Sequence, residues 1–304
     1  MSLVNKKGVD ISSSNGNVDM EKIKKAGYDF VMIRLGYGND EKSHDDSKFE
    51  SNVKKAEKAK LPWGAYIYSY ATNNTEANSE VEHVKRLLKG KKPTLPVAFD
   101  MEDADGYKSK HGAMKKSVIT NICKTFLSKI KKAGYYPMLY TSYSWIGNYI
   151  STDVTDKYDL WVAQWNETCD YKGKNLGIWQ YGGEVNYIES NSIEGVGVID
   201  KDRCYKDYPK IIKNGGYNNW KKPSPKVLDS KGFKKGDKTL GVLALNQLLI
   251  IAKKKGIITV NVKSNKDYSA QTQRSVKQVQ KKLGYKPNGI AGEKFIKKLG
   301  NLLK

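Results

Sequence analysis

The chain has 304 residues, 38% hydrophobic and 11% aromatic, which allows two ordinary domains with packed cores. No run of 18 apolar residues occurs, which excludes a membrane-spanning helix, and the opening MSLVNKKGVD lacks the apolar centre of a secretory signal. The formal charge of +22 is unevenly spread: residues 1–207 hold 31 Lys/Arg against 28 Asp/Glu, whereas residues 208–304 hold 23 against 4. The first part is nearly neutral, and the second should seek a polyanion.

In chain order, short β-branched or aromatic runs predict strands at Gly8–Ser12, Phe30–Leu35, Trp63–Tyr70, Leu95–Glu102, Pro137–Thr141, Leu160–Gln164, Gly177–Tyr181 and Gly197–Asp200. Between the early ones, apolar residues at spacings of three and four predict helices over Asp19–Ala26, Asp46–Ala59, Thr75–Lys89 and Lys116–Lys132. Strand–helix alternation implies a parallel sheet, and eight strands imply closure into a barrel. After Tyr140 the connections shorten and read as turns. The expected fold class is therefore α/β: an irregular parallel (β/α) barrel with missing helices, followed by a small, mostly helical domain. The barrel is expected over residues 1–210, a Gly/Asn/Pro/Ser/Lys-rich linker over 211–228, and the second domain over 229–304. That domain shows helical patterns at Thr239–Lys255, Ser269–Leu283 and Gly292–Leu303.

Three cysteines form no CxxC pair and read as reduced thiols, and three scattered histidines offer no zinc spacing. Neither a metal nor a cofactor is expected. Carboxylates do converge, however. In a barrel, chemistry sits at the C-terminal strand ends. Those ends offer Asp10 on the first strand, Asp100 and Glu102 on the fourth, and Asp200 on the eighth. Residues two apart on a strand share a face, roughly 6.5–7 Å apart along the chain. Carboxylates so placed can flank one glycosidic bond, although this spacing leaves retention and inversion both open. Crowding raises at least one pKa, as a general acid requires. A Mg²⁺ or Ca²⁺ site is the rival use of the same groups. Aromatic residues near these ends, among them Tyr66, Tyr68, Tyr70, Tyr140, Trp161, Trp165, Trp179 and Tyr181, suit a saccharide cleft or a packed core. Gln180 lies with them, and Arg34, ending the second strand, could pair with Asp10, with another carboxylate, or serve a structural ion pair.

The segments KGVDISSSNGNVD, FVMIRLGYG, WGAYIYSYA, LPVAFDMED, YYPMLYTSYSW, LWVAQWN, IWQYGG and GVGVIDKDRCY occur in the order found in glycoside hydrolase family 25, and the resemblance covers about residues 5–210. It implies a lysozyme (N-acetylmuramidase) that cleaves the β-1,4 bond between N-acetylmuramic acid and N-acetylglucosamine in bacterial peptidoglycan. Carried over by motif, Glu102 would be the proton donor. Asp100 would stabilise the developing charge by orienting the substrate acetamide. Asp10 and Asp200 would tune this pair. Tyr66, Tyr140, Trp161, Gln180 and Arg34 would bind substrate. The family often has Asn where this chain has Asp202, which adds negative charge near the site. The last part resembles the helical peptidoglycan-binding domains through VKQVQKKLGYKPNGIAGEKFIKKL. The partners so implied are peptidoglycan and anionic wall polymers. No membrane partner is expected. Nucleic acid is disfavoured because Arg274 is the only arginine among the 23 basic residues of the tail. The expected localisation is the host cytoplasm and then the bacterial wall, as for a phage endolysin; a secreted autolysin is the other possibility. The alternative function is a non-catalytic wall-binding protein that kept the barrel.

Overall fold

The computed structural model describes residues 2–304 apart from Glu184 and Asn186. It contains two compact units, residues 1–222 and 223–304. In the first, β1 (Lys6–Ile11), β2 (Phe30–Tyr37), β3 (Trp63–Tyr68), β4 (Val97–Asp100), β5 (Pro137–Ser142), β6 (Asp159–Ala163) and β7 (Leu176–Gly182) run parallel in sequence order. A small hairpin, β8 (Ser192–Ile193) with β9 (Gly197–Val198), precedes β10 (Asp200–Cys204). Strand β10 then closes the barrel between β7 and β1, antiparallel to both.

The closing strand corrects the sequence reading. The expected eighth strand, Gly197–Asp200, is half hairpin, and the barrel is mixed instead of wholly parallel. The chain returns from β7 by way of the small hairpin and enters the sheet antiparallel to both β7 and β1. Asp200 therefore opens its strand. It still lies at the C-terminal rim of the parallel strands, because it pairs in register with Asp10.

Alternation along the strands sorts the core into two layers. Val9, Val31, Ile33, Ile67, Val97, Phe99, Leu139 and Val162 face outward and are buried beneath the helices. These helices are α1 (Met20–Lys25), α2 (Phe49–Lys58), α3 (Asn74–Leu87), the single turn α4 (Tyr107–Lys110) and α5 (Lys116–Lys132). Phe30, Met32, Ala98, Met138, Trp161 and Ile178 face inward and fill the lumen. Gly8 makes room for that filling, since a Cβ there would stand 2.3 Å from the Phe30 ring. Between β5 and β6 the only α-helix is the one-turn α6 (Thr152–Thr155), and none stands between β6 and β7. The expected loss of late helices is thus seen.

The bottom of the lumen is closed by α7 (Tyr208–Gly215), whose Tyr208 and Ile212 are fully buried. Beyond it, Asn218 donates to the carbonyls of Pro93 and Leu95 and accepts from the Tyr136 amide, while Trp220 donates to Pro93. Residues 211–222, expected in the linker, therefore belong to the barrel unit. The polar composition that suggested a linker instead satisfies strand-end carbonyls.

The second unit packs α8 (Leu240–Lys254), α9 (Ala270–Lys282) and α10 (Glu293–Leu303) around Val242, Leu245, Leu249, Val276, Val279, Phe295 and Leu299. Thr239 and Ser269 cap the first two helices through their side-chain oxygens. The third starts at Gly292, which has no side chain to offer, and Asp229 accepts from the Phe295 amide at 2.9 Å in its place.

Candidate active site

The inward alternation continues to the top of the barrel, where the apolar filling gives way to polar groups. Asp10 follows Gly8 on β1, Arg34 follows Met32 on β2, Tyr66 and Tyr68 follow Gly64 on β3, and Asp100 follows Ala98 on β4. Together with Glu102, Tyr140, Trp161, Gln180 and Asp200 they line one cavity of about 420 Å³. The nine residues given a role through the resemblance thus line one cavity, and Tyr68 joins them. Ser12, Ser14 and Asn15, from the loop after β1, also line it and carried no sequence signal. A larger hollow of about 600 Å³ lies on the flank of the barrel around Tyr171, Trp179 and Tyr205. It lacks converging carboxylates, so it is the smaller cavity that can do acid–base chemistry.

The carboxylates are crowded and dry. Asp10 and Asp100 are 6% and 4% exposed, and Glu102 is half-buried at the rim. Burial raises the pKa of Asp10 well above the ordinary carboxylate range, and the charges of Asp200 and Asp202 push it further. Burial likewise raises Asp100 strongly, with Glu102 the next cause, and it raises Glu102 itself. Asp100 and Glu102, two residues apart in the chain, line the same cavity. The protonation of each therefore depends on the charge of the other.

Neighbours fix the rest. Gln180 donates to Asp10 at 2.9 Å and accepts from the Tyr140 hydroxyl at 3.0 Å and from the Trp165 ring nitrogen at 3.1 Å. It ties β1, β5 and β7 together beneath the carboxylates. The Trp161 ring nitrogen donates to Asp202 at 2.8 Å, one layer deeper in the lumen. Of the partners open to Arg34, the structure selects Asp46 at 2.9 Å, with Ser13 as a second acceptor. Its charge still reaches Asp100 and lowers that pKa somewhat. Trp179 and Tyr181 turn outward, donating to the Gln164 carbonyl and to Glu189 respectively, and take no part in the cavity.

Lys108 was not legible in advance. It is 1% exposed, and its ammonium group donates to the carbonyl oxygens of Ser69 and, at 2.8 Å, Glu102. It therefore clamps the ends of β3 and β4 from behind. Its charge opposes the upward shifts of Asp100 and Glu102, while burial lowers its own pKa. Asp103 prepares this turn by accepting from the amides of Lys108 and Ser109. One lysine among many gave no sequence signal.

Crowded carboxyls of raised pKa in an aromatic-lined cleft fit a class, the acid-catalysed carbohydrate-cleaving barrels. The particular family follows from comparison. The model of "Glycosyl hydrolases family 25" matches residues 9–189, and the chain belongs to that family. Strand β10, with Asp200, lies beyond the matched segment. An N,O-diacetylmuramidase of Arthroderma benhamiae is 32% identical over 182 residues, covering 57% of this chain and 73% of the fungal protein. An autolytic lysozyme of Clostridium acetobutylicum is 26% identical over 197 residues, covering 64% of this chain and 55% of that protein. The chain thus spans only about half the length of that relative. The modular autolysin LytC of Streptococcus pneumoniae, solved with a synthetic peptidoglycan ligand, superposes with a TM-score of 0.55 at 25% identity. That match covers 65% of this chain and 46% of LytC.

Proposed function

We propose that the chain is an N-acetylmuramidase that hydrolyses the β-1,4 bond between N-acetylmuramic acid and N-acetylglucosamine in bacterial peptidoglycan. One observation carries the reading: Asp10, Asp100, Glu102 and Asp200 converge in a single aromatic-lined cavity at the barrel rim. Glu102, at the mouth of the pair and with a raised pKa, is suited to protonate the leaving oxygen. Asp100, 4% exposed, lies deeper than Glu102, and that depth suits holding the substrate acetamide against the charge that develops. Asp10 and Asp200, bridged by Gln180, set two further carboxyl groups beside the pair, where any negative charge they carry favours a cationic transition state.

The second unit supports wall binding through its charge, 19 Lys/Arg against 4 Asp/Glu over residues 223–304. Peptidoglycan and anionic wall polymers are its proposed partners, and the bacterial wall is the proposed site of action. Mass spectrometry of fragments released from purified peptidoglycan tests the chemistry. Soluble disaccharide-peptides ending in a reducible N-acetylmuramic acid are expected. Walls that bind the protein but yield no fragments would favour an anchoring role instead.

A further inference from the structure

Next to the catalytic cavity is a second one of about 380 Å³, whose walls include Tyr37, His44, Tyr70 and Tyr107. The two are joined by rings in contact. Tyr68 lines the catalytic cavity and meets Tyr70 at 5.1 Å between centroids. Tyr70 in turn meets Tyr37 edge-on at 5.9 Å and Tyr107 edge-on at 4.9 Å, and Tyr37 meets His44 at 5.0 Å. None of these rings is core: each is half-buried. Gly38, with a φ of +61°, lines the same space, and a Cβ there would meet Tyr70 at 3.5 Å and His44 at 3.7 Å, ordinary contact distances. Asp105 holds the Tyr70 hydroxyl at 2.6 Å and, with Glu76, makes one wall acidic.

We propose that this shelf is an additional saccharide subsite that seats an uncharged N-acetylhexosamine ring of the glycan chain lying over Asp100 and Glu102. The proposal rests on the glycan-cleaving reading above. Aromatic faces match the C–H face of a pyranose, and carboxylates accept from its hydroxyls. Continuity through Tyr68 and Tyr70 makes the occupant an extension of a chain already bound. The acidic wall disfavours a unit bearing its own carboxylate, whether the lactyl group of a muramic acid or a stem peptide.

The test compares peptide-free glycan fragments of four and eight sugars on the full chain. Tyr37→Ala and Tyr107→Ala should each raise KM for the eight-sugar fragment roughly three- to tenfold. Both should leave the four-sugar fragment unchanged, and Tyr37→Phe should behave as wild type. Unchanged KM at both lengths, or equal losses at both, would overturn the subsite. So would a loss seen only with peptide-bearing fragments, which would make the occupant the stem peptide. If the wild type cleaves neither fragment, the hydrolase reading itself fails. Titration calorimetry of the eight-sugar fragment with wild type and Tyr37→Ala then decides the subsite on binding alone: equal affinity rejects it, and a three- to tenfold weaker variant keeps it.

Discussion

The two units handle charge in opposite ways. The barrel unit holds 35 Lys/Arg against 28 Asp/Glu, and it buries several carboxylates against one another. The helical unit is strongly basic, yet it buries no charged side chain among its described residues and its lysines lie toward the surface. Buried like charges shift each other's protonation and so can do chemistry. Exposed like charges act at long range on a polyanion, in a manner that salt screens. The location of charge, more than its amount, separates a surface suited to acid–base chemistry from one suited to attracting a polyanion.

The sharpest way to break this comparison is Glu102→Gln. It should lower hydrolysis about 10²–10⁴-fold, the worth of a general acid, while wall binding persists. Near-normal turnover by the variant would remove Glu102 from the role. In the wild type the same group sets a pH limb. Glu102 must be protonated to act and its pKa is raised, so activity should extend above the usual glutamate range and fall as pH rises further. A rate profile that already declines through the ordinary carboxylate range would contradict that.

Removing residues 223–304 probes the other half. Cleavage of soluble glycan fragments should be unchanged, whereas retention on walls should weaken by roughly tenfold or more. Retention of the full chain should also fall with added salt. Equal retention by the truncated and full chains would refute an adhesive role.

A smaller effect tests the cost of burying carboxylates. Asp202 is fully buried, its pKa is raised chiefly by burial, and one of its oxygens has no hydrogen-bond partner. A raised folded-state pKa means that folding favours the protonated form. That stability is complete below the unfolded pKa and is lost as pH rises through the folded one. Asp202→Asn keeps an acceptor for Trp161 and removes the titration. The melting temperature should therefore rise at neutral pH, by ~2–4 °C for each kcal/mol gained, with the gain vanishing in acid. Calorimetry across pH checks this, and a pH-independent change would reject the account. The smallest effect belongs to the helical unit: Asp229→Ala should cost that unit ~1 kcal/mol through the lost cap on α10. Rates on soluble glycan should not move. If they do, the two units are not as separable as their charge suggests.

Much of this was legible in sequence because it depends on short-range periodicity. Strand patterning located β1 to β7 within a few residues and put Asp10, Asp100, Tyr66 and Tyr140 at or near the C-terminal strand ends. Helix α5 was predicted with its observed bounds. What escaped depends on partners distant in the chain. The direction of β10 follows from how β7 returns to the sheet, so Asp200 was placed on the right rim by way of the wrong strand end. Residues 211–222 read as linker because Asn218 and Trp220 reveal their purpose only against Pro93 and Leu95.

The sequence by itself determined an eight-stranded barrel with four carboxylates at one rim, and a basic helical unit after it. Those features are written in periods of two and of 3.6 residues and in local composition. Tertiary structure alone decided that Arg34 pairs with Asp46, that Gln180 bridges Asp10 to Tyr140, and that Lys108 stands behind the Asp100–Glu102 pair. Each of these choices depends on which strands meet when the barrel closes and on how little water remains there, and no local pattern in the chain records either.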